Sequence, residues 1–404
     1  MIHNGNIRIA LICNMNNMFS SVCKYLIDSG YDAHLFQYNT HPSHFDGRAD
    51  SFGNILDNRI HIINWTSPGQ LLTYSTDKIK TLLHDFDFII ACGTTPAFLS
   101  KAGIKLDLFI PYGSDIYTYP FFEFTYNPIY MFKKLYFQYH QRNGIRNAVS
   151  FMMEKQIDWV EKKAKSLRIK GDRFNTSIPM VHLPTYENIT PNELNNLSFY
   201  NKYLDIRAAQ DLVIFHHSRH SWKNPQDKFE LKGNNILFKG FADFLKQNAN
   251  IKACIVTLEY GNEVDESKAL IKELGIEENV YWMPKQDRKE LMMGISLCDF
   301  VVGELYNSFN LYGVTTEALQ MGKPIMQKRI DEEFTNDYNT LHPIIYADSA
   351  EQVSAGITSY IKNPGYYHQQ GIEGRKWYTK NILNKFLSII DKLIKDKHAV
   401  ESKE

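Results

Sequence analysis

Twice along its length this chain sets short apolar runs between stretches of helical spacing, and that repeated alternation restricts the fold more than any other feature. In the first half Ile7 to Ile12, His34 to Tyr38, Ile60 to Ile63, Phe88 to Ala91 and Leu108 to Pro111 read as strands, with a helix over Phe19 to Ile27. Strands linked through helices pair in parallel, and right-handed crossovers then cover both faces of the sheet. The second half repeats the pattern. Its strands are Leu212 to His216, Ala253 to Leu258, Val280 to Met283, Phe300 to Gly303 and Pro324 to Gln327. Its helices are Ile236 to Gln247, Val264 to Leu274, Arg288 to Leu297 and Val314 to Met321. The prediction is an α/β protein of two Rossmann-like, doubly wound domains.

A chain of 404 residues suits two such cores. Between Tyr112 and about Phe174 the alternation gives way to aromatic-rich helical sequence, and Pro179 to Asn196 has the composition of a connector. The domains are therefore expected over 1–195 and 206–377. In the tail Ile382, Phe386, Ile389, Ile390 and Leu393 recur at helical spacing with no strand to follow. A helix over 378–396 is expected to pack back on the first domain.

No stretch approaches the ~20 apolar residues of a membrane span, and the first residues lack the zones of a signal peptide. Five cysteines lie far apart with no CxxC pair, so buried thiols in a reducing cytoplasm are expected. Lysine plus arginine equal aspartate plus glutamate at 45 each, which leaves no overall field for a nucleic acid.

Two segments of the second half carry candidate chemistry. GELYNSFNLYGVTTEALQMGKPIM runs strand, loop, helix, and the first turn of a helix offers unpaired amides to an anion. Tyr312, Gly313, Val314 and Thr315 stand at that start, Gly313 admits a phosphate closely, and Glu317 one turn on suits the hydroxyls of a ribose. The plain alternative is a helix start with a solvated glutamate. FHHSRHSWKNPQDKFELKG gathers His216, His217, Arg219, His220, Lys223 and Lys232 after a strand. Cations there neutralise a leaving diphosphate, with Arg219 and Lys232 as the candidates, or form a solvated basic loop. The histidines lack a carboxylate or cysteine at metal spacing, so no metal site is expected.

Together, in this order, the two clusters resemble glycosyltransferase family 4, retaining enzymes of GT-B fold. The resemblance is firm from about Leu212 to Lys328 and loose elsewhere. It implies that Arg219 and Lys232-Gly233 bind the donor diphosphate, that Glu317 takes the ribose, and that two domains face across a cleft. It further implies a UDP- or GDP-sugar donor, no other cofactor, no metal, and backbone contact with the base around Trp282-Met283-Pro284-Lys285. The family's first glutamate is replaced by Phe309, with Asn307 or Asn310 as substitutes. Its HGSD is Tyr112-Gly113-Ser114-Asp115 here, where Asp115 either holds an acceptor hydroxyl or caps a turn. Asn14 to Met18 replaces a glycine-rich acceptor loop, with Asn16 and Asn17 facing the acceptor or forming a plain turn. The implied acceptor is a glycan, glycolipid or glycoprotein of surface polysaccharide, lipopolysaccharide or glycoprotein synthesis. A sugar-nucleotide epimerase of the same fold and a non-catalytic glycan- or nucleotide-binding subunit are the alternatives. The aromatic run from Tyr117 to Arg142 has three readings: core packing as the default, a wall for a glycan, or an interfacial surface giving peripheral membrane association.

Overall fold

The computed structural model describes residues 7–53, 55–121, 124–224, 230–307, 311, 313–334 and 338–401. The apolar runs become two separate parallel sheets. In the first, β1 (Arg8–Ile12), β2 (Asp32–Tyr38), β3 (Ile60–Ile63), β4 (Phe88–Ala91), β5 (Leu108–Phe109), β6 (Ser150–Met152) and β7 (Asp172–Phe174) take the order β3-β2-β1-β4-β5-β6-β7. Every pair is parallel, with Ile9 of β1 opposite Ala33 on one side and Phe88 on the other. All four residues of β4 are buried, because helices cover both faces of a parallel sheet and leave no polar side to alternate with.

The second sheet holds β8 (Leu212–His216), β9 (Ala253–Leu258), β10 (Val280–Met283), β11 (Phe300–Val302), β12 (Ile325–Gln327) and β13 (Ile345–Tyr346), in the order β10-β9-β8-β11-β12-β13 and again all parallel. Phe238, Phe241 and Phe244 of the Asn234–Gln247 helix fill its core against β8 and β9.

Two compact units result. The first ends at His182, where the sequence reading ran to 195, and takes the chain back from Ile382; the second is Leu183–Asn381. In the Asn384–Glu401 helix, Phe386, Ile390, Leu393 and Ile394 join the first unit's core. Tyr31 donates to Asp391 at 2.6 Å and Lys397 pairs with buried Asp107 at 2.9 Å, so polar contacts fix the seat that the apolar stripe selects.

Candidate nucleotide-binding site

In the second sheet the winding reverses between β8 and β11, and ligands of open parallel sheets bind beyond the carboxyl ends of the strands at such a point. The two segments singled out in the sequence start there. His216, the last residue of β8, donates from Nδ1 to the Val302 carbonyl at 3.2 Å and accepts at Nε2 from Asn234 at 2.9 Å. His220 lies between Ser267 Oγ at 2.8 Å and Thr257 Oγ1 at 3.1 Å. These two histidines are scaffold, their ring nitrogens engaged within the unit. Among the described residues no group of three metal-ligating side chains assembles.

Burial, reinforced by the neighbouring His220, pushes His216 down to about 3, and burial likewise takes His220 to about 4. As pH falls below about 6.5 the unfolded chain takes up protons that these folded rings refuse, so stability present above that pH is lost on the way to the folded values. We expect a loss of roughly 2 kcal/mol per histidine by about pH 5. Urea denaturation of the full chain near neutrality and near pH 5 measures it, and an unfolding free energy that stays level across that interval contradicts it.

The cations of the β8 segment divide. Arg219 is exposed, and its guanidinium makes no hydrogen bond or ion pair among the described residues. Lys223 is exposed too, on a turn held by Glu263, whose carboxylate accepts from the amides of Trp222, Lys223 (2.7 Å) and Asn224 (2.5 Å). Burial raises the Glu263 carboxyl, but those amides outweigh it and leave it below its ordinary value. Lys232 is buried, with Nζ 2.5 Å from Glu304 just past β11. The backbone is knitted at the same place: Leu305 N donates to the Lys232 carbonyl at 3.1 Å, and Asn307 Nδ2 to that of Leu231 at 3.0 Å. Gly233 is what permits this approach. Its φ is +77°, and a Cβ would stand 2.9 Å from Leu305 Cβ.

Glu317, one turn into the Gly313–Gln320 helix, is buried rather than solvated. His217 donates from Nε2 to its Oε2 at 2.7 Å, and the Arg288 guanidinium lies 3.4 Å from Oε1. Burial raises its carboxyl, yet the Arg288 charge and the His217 bond outweigh burial and hold it below the usual glutamate value. Around it His217 Nδ1, Ser218 Oγ and Thr316 Oγ1 are buried with no partner among the described residues. Thr315 donates to Gln327 at 2.7 Å, Val314 is half-buried, and Gly313 opens the helix. Asn310, Tyr312 and Phe309 lie outside the described residues. Met283 is buried at the end of β10, with its carbonyl accepting from Glu259 N at 2.8 Å.

In the first unit the reversal lies between β1 and β4. Asp115 is fully buried, and its carboxylate accepts from the amides of Gly93 (2.9 Å), Gly113 (2.9 Å) and Tyr112 (3.1 Å). Burial raises it to about 7 against those three bonds. It thereby joins the turns after β4 and β5. These are the contacts that the capping alternative for this residue describes. Ser114 begins the short Ser114–Tyr117 helix, and Tyr112 donates to Tyr119 at 3.2 Å. Asn17 is buried, accepting from Asn14 at 2.9 Å and donating to the His44 carbonyl at 2.8 Å, whereas Asn16 is exposed at a φ of +50°.

Arg219, Lys232 and Glu317 thus belong to one sheet edge, and His217, Arg288, Glu304 and Glu263 complete it. Sequence reasoning gathers His217 with the cations after β8 but does not point to Arg288, Glu304 or Glu263. Glu304 carried a signal, as a carboxylate two residues past the strand that flanks the reversal; Arg288 and Glu263, at the starts of two other helices, carried none.

Residues 228–377 match the family described as "Glycosyl transferases group 1". No curated protein matches the chain. Among solved structures, Alr3699/HepE of Anabaena in complex with UDP and glucose is 15% identical over 96% of this chain and 99% of its own, with a TM-score of 0.59. Sucrose-phosphate synthase of Thermosynechococcus elongatus is 12% identical over 98% and 100%, at 0.57. The α,α-trehalose 6-phosphate synthase of Burkholderia multivorans is 9% identical over 98% and 99%, at 0.55. This chain therefore has the two-unit parallel α/β fold of the GT-B type, with the group 1 glycosyl transferase pattern over most of its second unit.

Proposed function

We propose that this protein moves a sugar from a nucleoside-diphosphate sugar to a hydroxyl of a glycan, glycolipid or glycoprotein acceptor, with retention at the anomeric carbon. The observation that carries the reading is the convergence of Arg219, Lys232 and Glu317 on the carboxyl edge of the second sheet, beside a helix start. The cations neutralise charge that develops on the departing diphosphate, and the Gly313–Gln320 amides add to them. Glu317, kept ionised by Arg288 and His217, accepts from the ribose hydroxyls. The acceptor hydroxyl attacks on the face the diphosphate leaves, and a phosphate oxygen takes its proton. The UDP in the complexes of the Anabaena protein favours uridine over guanosine for the base. Surface polysaccharide, lipopolysaccharide or glycoprotein assembly in the cytoplasm is the setting proposed.

Incubating the protein with UDP- and GDP-sugars, with and without a panel of glycan and glycolipid acceptors, tests the reading. A glycosylated product that retains the donor's anomeric configuration is expected. An epimerised nucleotide sugar formed without acceptor favours the epimerase, and nucleotide binding with no turnover of any acceptor favours a non-catalytic subunit.

A further inference from the structure

The Pro128–Arg146 helix of the first unit carries large apolar side chains on its outer face as well as its inner one. Its inner face is half polar: Gln141 donates to the Gly93 carbonyl at 2.9 Å and accepts from Ala97 N at 3.2 Å, beside Gln138, Phe137 and Ile145. Its outer face carries Ile129, Phe132, Leu135 and Tyr139, from 47% exposed at Leu135 to 68% at Ile129, and Phe124 and Tyr126 just before the helix extend the patch. The run from Tyr117 to Arg142 therefore divides: Phe137 joins the first unit's core with Tyr117, Tyr119, Phe121 and Tyr136 packed against it, as the core-packing default has it, whereas the outer-face residues turn to solvent. A contiguous apolar face of this kind marks a contact surface rather than scattered exposure.

Charge identifies what it contacts. From Phe124 to Met153 the sequence has four cations, Lys133, Lys134, Arg142 and Arg146, and no carboxylate, in a chain whose 45 cations and 45 carboxylates balance overall. Beside the outer face a cavity of about 430 Å³ is lined by Tyr119, Phe121, Tyr130 and Phe137 with Lys133 and Lys134. Tyrosine, phenylalanine and lysine on one face are the composition of helices that lie in a bilayer interface, rings at headgroup depth and ammonium groups among phosphates.

We propose that this face of the first unit seats on an anionic phospholipid surface, with the cavity receiving a headgroup phosphate between Lys133 and Lys134 and the aromatic side chains entering the acyl boundary. No helix of the described residues is long and apolar enough to cross a membrane, so the contact is peripheral. The proposal does not depend on the transfer reaction.

Flotation of the full chain with vesicles of phosphatidylcholine alone, or with added phosphatidylglycerol, tests it. Partition onto the phosphatidylglycerol vesicles is expected to fall as salt rises. It falls on the order of fivefold for each of K133E and K134E, and roughly tenfold or more for a combined F132S, L135S and Y139S variant. All five positions lie at least partly exposed on the helix, so melting temperatures should match the parent protein. Equal partition onto both vesicle types, or a combined variant that floats as the parent does, overturns the proposal. So does a parent that light scattering shows to be a dimer and a combined variant that is a monomer, which makes the face a contact between copies of this chain.

Discussion

Arg219→Ala lowers kcat/KM for the donor sugar on the order of 10²- to 10³-fold, the size of effect seen when one preorganised donor to developing charge is removed. The argument rests on where the arginine stands. It follows the strand beside the reversal in the second sheet, it is exposed, and no described residue claims its guanidinium. An arginine with that freedom is available to a diphosphate, and its loss leaves no buried group stranded. The unfolding free energy should accordingly shift by no more than about 0.5 kcal/mol. Lys232 is a poorer probe. Removing it leaves the Glu304 carboxylate buried without its ammonium, a change that costs roughly 3–5 kcal/mol and confounds turnover with folding. Steady-state kinetics beside urea denaturation of Arg219→Ala decide the point. Unaltered kcat/KM removes the arginine from the site, and a large stability loss shows that its role lies in the fold.

The second large effect belongs to Glu317. Substitution by alanine strands Arg288 and His217 around a buried hole, at a cost on the order of 3–5 kcal/mol. Glutamine keeps the shape and loses the charge. For Glu317→Gln the expected result is a fold that survives, with nucleotide affinity weaker by roughly ten- to a hundredfold, the worth of charge-assisted hydrogen bonds to a ribose. Denaturation midpoints of both variants and titration of UDP into the glutamine variant measure the two parts. A glutamine variant that binds nucleotide like the parent assigns the carboxylate to the fold alone.

Much of the architecture was legible because parallel strands buried on both faces write themselves as unbroken apolar runs. Ile60–Ile63, Phe88–Ala91, Leu212–His216, Ala253–Leu258 and Val280–Met283 fall on the residues read from the sequence. The short strands Ser150–Met152, Asp172–Phe174 and Ile345–Tyr346 did not declare themselves. Asp172–Phe174 and Ile345–Tyr346 form sheet edges, where half-exposed pairs and triplets show no period, and all three lie beyond the segments with clear alternation. The aromatic stretch after Tyr117 divides between core and solvent for a related reason. Ring count says nothing of direction, and the inner face of that helix is shared by glutamines that bond the backbone turn beneath them.

Local sequence is enough to put Arg219 and Lys232 in the segment after β8 and Glu317 in the helix that follows β11. It could not supply their partners. Glu304 reaches Lys232 across 72 residues, His217 reaches Glu317 across 100, and Glu263 pins the Trp222 turn across 41. These pairings arise from strand order, which spacing along the chain does not encode. Asp115, for which the sequence leaves an acceptor contact and a turn cap open, is bonded to three amides of its own turns, a short-range pattern that local spacing does encode.

Isothermal titration of UDP into the parent protein and into Arg219→Ala weighs most directly the claim that the edge of the second sheet holds a nucleoside diphosphate. The parent should bind one equivalent, and the variant at least tenfold more weakly. No heat with the parent, or identical isotherms for the two proteins, would contradict that claim.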